Sequence, residues 1–264
     1  MAYVLGVDLG ATNLRVAVGT PDGKIVSRAA EPVPPTPARL AERVAALAGG
    51  AVVAGAAVGI PGIPSGDGFA GLIAGAAGLT GAPLRSLLED ALGVPVRLEN
   101  DLNLAALAEQ HARGVDDLVF IGVGTGVGMG IVSGGRLLRG AHGAAGELGH
   151  LPLAARDAVA GEDGLGPLEA LTGGAGLATR HDGPAHKAYE HGAADVLAAG
   201  IRAVQALLDP ALIVLGGGIG SRPEVLQRVR AALRDPKPAI ERSVHGEDAG
   251  LAGALLLAHS GQRL

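Results

Sequence analysis

Residues 3–18 read YVLGVDLGATNLRVAV and decide how the rest of the chain is parsed. Tyr3–Asp8 is an apolar run ending in a carboxylate and reads as a buried strand; Leu14–Val18 reads as a second strand, with a glycine turn between them. Pro21-Asp22-Gly23 predicts a hairpin turn and Lys24–Ala30 a third strand. Beyond the connector Pro32–Pro37 the pattern changes to alternating helices and strands. A helix opens at Thr36 or Pro37 and runs to Ala48, with Leu40, Val44 and Leu47 on one face. Ala51–Val58 and Val94–Leu98 read as strands; about Pro83–Leu92 and Leu102–Ala112 read as helices. The plan then restarts. Leu118–Val123 reads as a strand, Gly128–Val132 as its hairpin partner, Gly134-Gly135 as the next turn, and Arg136–Arg139 as the return. A helix over about Ala185–Leu208, a strand at Leu212–Leu215 and a helix at Pro223–Leu233 follow. The reading is two α/β domains of related plan: residues 1–112, with a last helix at about 248–264 packing back on them, and residues 113–247.

Composition narrows the function. In 264 residues, 48% are hydrophobic and 18% charged, enough to bury a sizeable core. Aromatics are 2%, which argues against a nucleic-acid reader built on stacking platforms. The net charge of −5 provides no global basic field for phosphate backbones. There is no cysteine, which excludes disulfides, thiol nucleophiles and thiolate zinc sites. No apolar stretch approaches the roughly 20 residues needed to span a bilayer, and no signal peptide is visible, so a cytoplasmic protein without membrane partners is expected. Glycine is the anomaly: 45 residues, about 17% against a usual ~7%. Ten of them fall between Gly122 and Gly146, as expected of turns that bring backbone close to a ligand.

Five short motifs carry candidate chemistry. In Gly6-Val7-Asp8-Leu9-Gly10-Ala11-Thr12-Asn13, a strand-end carboxylate precedes a turn with backbone amides and a hydroxyl, a plausible Mg²⁺–phosphate cradle. The alternative is a turn in which Asp8 bonds its own backbone. In Gly122–Gly130, alternating glycines strip side chains from one face of a hairpin, so a phosphate could reach the amides; the alternative is a hairpin without a ligand. Neither a dinucleotide fingerprint nor a P-loop is present. Glu99-Asn100-Asp101-Leu102-Asn103 holds two of the chain's three Asn. Asp101 could act as general base toward a hydroxyl and Asn100 could orient it, but both are also preferred helix caps. Gly146-Glu147-Leu148-Gly149-His150, with Glu169, could accept sugar hydroxyls; a solvated loop is the plainer reading. Leu215-Gly216-Gly217-Gly218-Ile219 follows a buried strand, where backbone could lie against a flat adenine or ribose, or simply turn into a helix.

The ordered set of motifs resembles the ROK family (repressors, open reading frames and kinases), sugar kinases of the actin-like ATPase, ribonuclease H-like fold, over nearly the whole chain. The resemblance implies two α/β domains around a cleft and ATP-dependent phosphorylation of a hexose hydroxyl, glucokinase-like, with ATP and Mg²⁺. It implies Asp101 as the base and Asn100, Glu147, His150 and Glu169 as sugar ligands. Asp8, Gly10 and Thr12, with Gly124, Thr125 and Gly126, would serve the phosphates, Asp8 reaching Mg²⁺ through them. Gly216, Gly217 and Gly218 would serve the nucleotide. Closing of the domains over the sugar would exclude water, the competing acceptor.

Two departures stand out. The family's Cys-rich zinc loop has no counterpart in Leu151–Leu168, where Gly166-Pro167-Leu168-Glu169 stands in place of a Gly-Cys-Leu-Glu, so no zinc is expected. The family's sugar-binding Asn of the first domain has no match in Ala77-Gly78-Leu79-Thr80-Gly81, which bears on glucose specificity because an unmatched hydroxyl loses a directional partner. The repressor class carries an N-terminal helix-turn-helix; a first strand at residue 3 leaves no room for one, and no nucleic-acid partner is expected. A catalytically weakened sugar- or nucleotide-binding member is the alternative to an active kinase. The reading admits a homodimer.

Overall fold

The computed structural model describes residues 2–10, 12–71, 77–152, 165–234 and 239–259. They fall into two compact units, Met1–Ala108 with Asp248–Leu264, and Glu109–Glu247.

The first unit is built on a five-stranded sheet. Its strands are β1 (Tyr3–Leu9), β2 (Asn13–Gly19), β3 (Ile25–Pro32), β4 (Val53–Ile60) and, after a two-stranded ribbon of β5 (Ile63–Ser65) and β6 (Gly68–Ala70), β7 (Val96–Asn100). The order is β3-β2-β1-β4-β7. β1, β2 and β3 form an antiparallel meander, while β4 and β7 add in parallel. Short turns suffice for the antiparallel part, and Gly23 closes one at φ 85°. The parallel part needs crossovers, supplied by helices α1 (Pro37–Leu47) and α2 (Leu84–Leu92). Thr36 caps α1, its hydroxyl accepting from Arg39 N at 3.4 Å. Helix α3 (Asp101–Arg113) follows β7 directly. The ribbon β5–β6 escapes the sequence reading because each strand is only three residues long.

The C-terminal helix, Ala249–His259, packs on the other face of this sheet and is apolar on every side, as a fully buried helix is. Small residues let it approach. A methyl built on Gly6 of β1 would lie 2.9 Å from Leu251 O, and one on Gly253 would lie 2.5 Å from the Leu104 carbonyl carbon of α3.

The second unit repeats the plan. Strands β8 (Leu118–Val123), β9 (Val127–Ser133) and β10 (Arg136–Leu137) form the meander; β11 (Leu212–Gly216) and β12 (Ala239–Arg242) add in parallel, in the order β10-β9-β8-β11-β12. Gly134 and Gly135 both adopt positive φ between β9 and β10, the requirement of a tight hairpin turn. Helices α4 (Pro167–Thr172), α5 (Gly174–Ala178) and α6 (Ala193–Leu208) precede β11; α7 (Gly217–Gly220) and α8 (Pro223–Leu233) follow it. The helix expected over Ala185–Leu208 is broken. Ala185–Glu190 is a 3₁₀ segment, and Gly192 at φ 106° separates it from α6. Helices α4 and α5 and strand β12 lie outside the sequence expectation, being short or without a period of their own. Among the described residues no helix is long and apolar enough to cross a membrane.

Candidate active site

In the first unit the candidate residues gather at the carboxyl ends of β1 and β7, where ligands sit in α/β sheets. Asp8 is the penultimate residue of β1, and Gly10 N donates to Asn13 O at 3.0 Å to close the turn into β2. Burial pushes the Asp8 carboxyl above its ordinary range; Arg15, 3.7 Å away, pulls it back, and Asp248 pushes it further up. Gly250, in the first turn of the C-terminal helix, faces the carboxyl: a methyl there would lie 3.4–3.5 Å from its atoms. Thr12 is exposed.

Asn100 and Asp101 sit where β7 passes into α3. The two are sorted by the helix start. Asn100 Oδ1 accepts from Leu102 N at 2.9 Å and Asn103 N at 3.1 Å, while its Nδ2 donates to Gly62 O at 3.2 Å. Asn100 is therefore the cap, with both ends of its amide engaged. Asp101 is the first helical residue, and its Oδ1 accepts from Leu102 N at 2.9 Å. Behind them, buried Glu99 accepts from Asn100 N at 3.0 Å and Asn103 Nδ2 at 2.9 Å, fixing the turn from the core side. Gly59 of the neighbouring β4 lies beside this turn: a methyl on it would come within 3.0 Å of Leu104 Cδ1 and make ordinary contact with Asp101 Cα at 3.5 Å.

In the second unit β8 and β9 are joined by the turn Gly124-Thr125-Gly126, closed by Gly124 N donating to Gly126 O at 2.9 Å. A pocket of about 520 Å³ lies over it, lined by Gly124, Thr125, Gly174, Ala175, Gly218 and Ile219. The three glycines after β11 divide in role. Gly218 opens on the pocket, with nothing within 4 Å of a methyl built there. Gly216 instead packs on the Phe120 ring, and Gly217, at φ 79°, packs on the Val123 backbone. Gly126 likewise turns away from the pocket, toward Glu169.

Glu147, His150 and Glu169 are electrostatic neighbours. Glu147 keeps an exposed face, yet its carboxyl is hemmed in by protein atoms. That burial raises its pKa, His150 lowers it, and Glu169 raises it again. Leu148–His150 form a 3₁₀ turn. Its entry residue, Gly146, has φ 104° and accepts from Met129 N at 2.8 Å, so the turn is hung on β9. Glu169, in α4, reaches toward the glycine turn instead: its Oε1 accepts from Val127 N at 3.0 Å.

Gly174 and Ala175 line the pocket but were not singled out in the sequence; Ile219, also in its lining, closes the last of the five motifs. The run Gly173-Gly174-Ala175-Gly176 was the available signal, a second glycine cluster outside the densest one. In the first unit, within the stretch Ala77–Gly81 that the resemblance sets against the family's Asn, a side chain on Gly78 would begin 2.8 Å from Pro35 O. Most of the segment expected to lack a zinc loop, residues 153–164, lies outside the described residues, as does Ala11. Among the described residues no three His, Asp or Glu cluster as metal ligands do.

Comparison with known proteins places this geometry. The ROK family pattern matches residues 4–261. N-acetylmannosamine kinase of Salmonella typhi is 36% identical, over 96% of this chain and 97% of its own. Among solved structures, the ROK hexokinase of Thermus thermophilus superposes with a TM-score of 0.80 at 32% identity, covering 97% of this chain and 98% of that one. A ROK family glucokinase from Streptomyces griseus, in complex with glucose and AMPPNP, gives 0.82 at 26% identity, covering 98% and 100%. The fold is that of the actin-like ATPases, as the motif order implied. On sequence and structure alike, the chain belongs to the ROK family.

Proposed function

We propose that this chain is an ATP-dependent sugar kinase. The observation that carries the reading is the second unit's pocket, lined by the glycine turn Gly124-Thr125 and by the glycine-bearing starts of α5 and α7; Glu169, which accepts from Val127 N just after that turn, is also an electrostatic neighbour of Glu147. Such a pocket suits a nucleotide, whose phosphates need close backbone and whose charge a chain of net −5 cannot attract in bulk. The relatives support the reading, since those matched over nearly their full length are named kinases of N-acetylmannosamine or hexoses.

The sugar hydroxyl attacks the γ-phosphorus; the new O–P bond forms as the bond to ADP breaks. Asp101 takes the hydroxyl proton. Its helix-start position suits this role, because Asn100 carries the capping load. Asn100, Glu147 and His150 orient the sugar; Glu169, a fourth sugar ligand by the resemblance, already accepts from Val127 N. Mg²⁺ arrives with the nucleotide as part of the substrate. Asp8 fits it as a single carboxylate, the usual protein share when phosphates and waters complete the shell. A carboxyl held high by burial is also one that a cation would return to its charged form.

The acceptor is a hexose or an N-acetylhexosamine. The absence of an Asn from Ala77–Gly81 supports an altered sugar preference, and the crowding at Gly78 beside Pro35 O leaves little space there for one. A coupled ADP-release assay over glucose, mannose, N-acetylglucosamine and N-acetylmannosamine tests the proposal. Sugar-dependent ADP release with at least one of them is expected. Nucleotide binding without turnover on any of the four would favour the alternative, a binding protein that has lost catalysis.

A further inference from the structure

Glu169 stands between two sets of candidate residues. By resemblance it is a sugar ligand, yet its carboxylate is engaged elsewhere. Oε1 accepts from Val127 N, the first amide after the Gly124-Thr125-Gly126 turn. The same oxygen fills the space beside Gly126, so a methyl on that glycine would overlap it. The segment carrying Glu169 holds the turn at two further points: Gly174 N donates to Gly124 O at 2.8 Å and Ala175 N to Thr125 O at 2.9 Å. Gly173 N in turn donates to Glu169 O at 2.7 Å, which ties the brace to its own helix.

A Gly-Thr-Gly turn has the largest backbone freedom to lose, and a ligand that must order it binds more weakly by that amount. A brace already present in the protein removes the loss. We propose that Glu169 is a positioning residue for the nucleotide: its carboxylate holds Gly124–Val127 in the shape that receives the phosphates, whether or not a sugar is bound. This rests on the kinase reading above. It differs from a sugar-ligand role in one measurable respect, because a sugar ligand has no effect on nucleotide affinity measured without sugar.

The test is calorimetric titration of the full chain with Mg·ADP, without sugar. Glu169→Ala is expected to bind roughly ten-fold more weakly than the wild type, the scale of one lost charge-assisted hydrogen bond. Glu169→Gln keeps an oxygen that can accept from Val127 N and is expected within about three-fold of the wild type. Gly126→Ala displaces only the far end of a flexible side chain, so it disconnects Glu169 with the carboxylate still present and reproduces the loss. The double variant Gly126→Ala/Glu169→Ala is no weaker than Gly126→Ala alone, since both act on one contact. Wild-type affinity in Glu169→Ala, or additive losses in the double variant, overturns the proposal. Should Glu169→Ala fail to fold, as a melting curve would reveal, Gly126→Ala decides: wild-type affinity there overturns it. A wild type that binds no Mg·ADP defeats the kinase reading itself, a separate outcome.

Discussion

Replacing Asp101 separates chemistry from folding unusually well in this chain. Its Oδ1 shares the Leu102 amide with Asn100 Oδ1, both at 2.9 Å, and Asn103 N belongs to Asn100 alone. Removing the Asp101 carboxylate therefore leaves the Leu102 and Asn103 amides capped by Asn100. The helix-dipole part of the structural loss is a negative charge at a helix N-terminus, worth ~0.3–1 kcal/mol, or a fall in melting temperature of about 2–4 °C for each kcal/mol in a chain of this size. What is lost chemically is a general base, typically 10²–10⁴-fold in rate, about 3–5 kcal/mol of barrier. Asp101→Asn keeps the oxygen for Leu102 N and loses only the charge and basicity. Both Asp101→Ala and Asp101→Asn should thus drop kcat by two to four orders of magnitude, with the folded fraction unchanged. The assay is steady-state ADP release at saturating sugar and ATP, beside a thermal melt of each variant. A kcat within about three-fold of the wild type removes Asp101 from the mechanism. A kcat loss that tracks loss of folded protein shows the residue to be structural.

Two further substitutions test the surroundings. Burial holds the Asp8 carboxyl above its ordinary 3.8, so the folded chain keeps that proton more tightly than the unfolded one. Stability then falls as pH rises from 3.8 through the raised value, and the deficit persists above it. Asp8→Asn should melt higher than the wild type at pH 7, by ~2–4 °C per kcal/mol recovered, converge with it in acid, and lose kinase activity. No gain at pH 7 in a melting series would mean that Arg15 already offsets the burial. At the end of β11, a methyl on Gly216 would lie 2.5 Å from Cε2 of the buried Phe120 ring. Overpacking of that kind costs about 1–3 kcal/mol. Gly216→Ala should lower the melting temperature by ~2–4 °C per kcal/mol and weaken Mg·ADP binding, because α7 and Gly218 follow directly; an unchanged melt would place the ring elsewhere.

Much of the fold is legible in local sequence. Tyr3–Val18 and Leu118–Val132 announce their meanders through apolar runs and glycine turns, and Thr36-Pro37 announces a helix start, because strand period, turn stereochemistry and capping are short-range constraints. The short elements were not legible. Ile63–Ser65 is too short to show a period although it pairs with the adjacent Gly68–Ala70, while Pro167–Thr172 and Ala239–Arg242 exist by packing or pairing with distant segments.

The candidate site divides the same way. The ordered motifs named Asp8, Asn100, Asp101, Glu147 and Glu169 without coordinates, although each motif taken singly also reads as a cap, a turn or a solvated loop. Only the tertiary structure decided which of two adjacent residues caps α3, because capping depends on where the helix begins. Only it distinguished Gly218, open on the pocket, from Gly216 and Gly217, pressed against Phe120 and Val123. It alone brought Glu169 to the amide of Val127, 42 positions away in the chain. Types and spacing are properties of neighbours along the chain, whereas partners and open faces are set by which distant segments the folded core brings together.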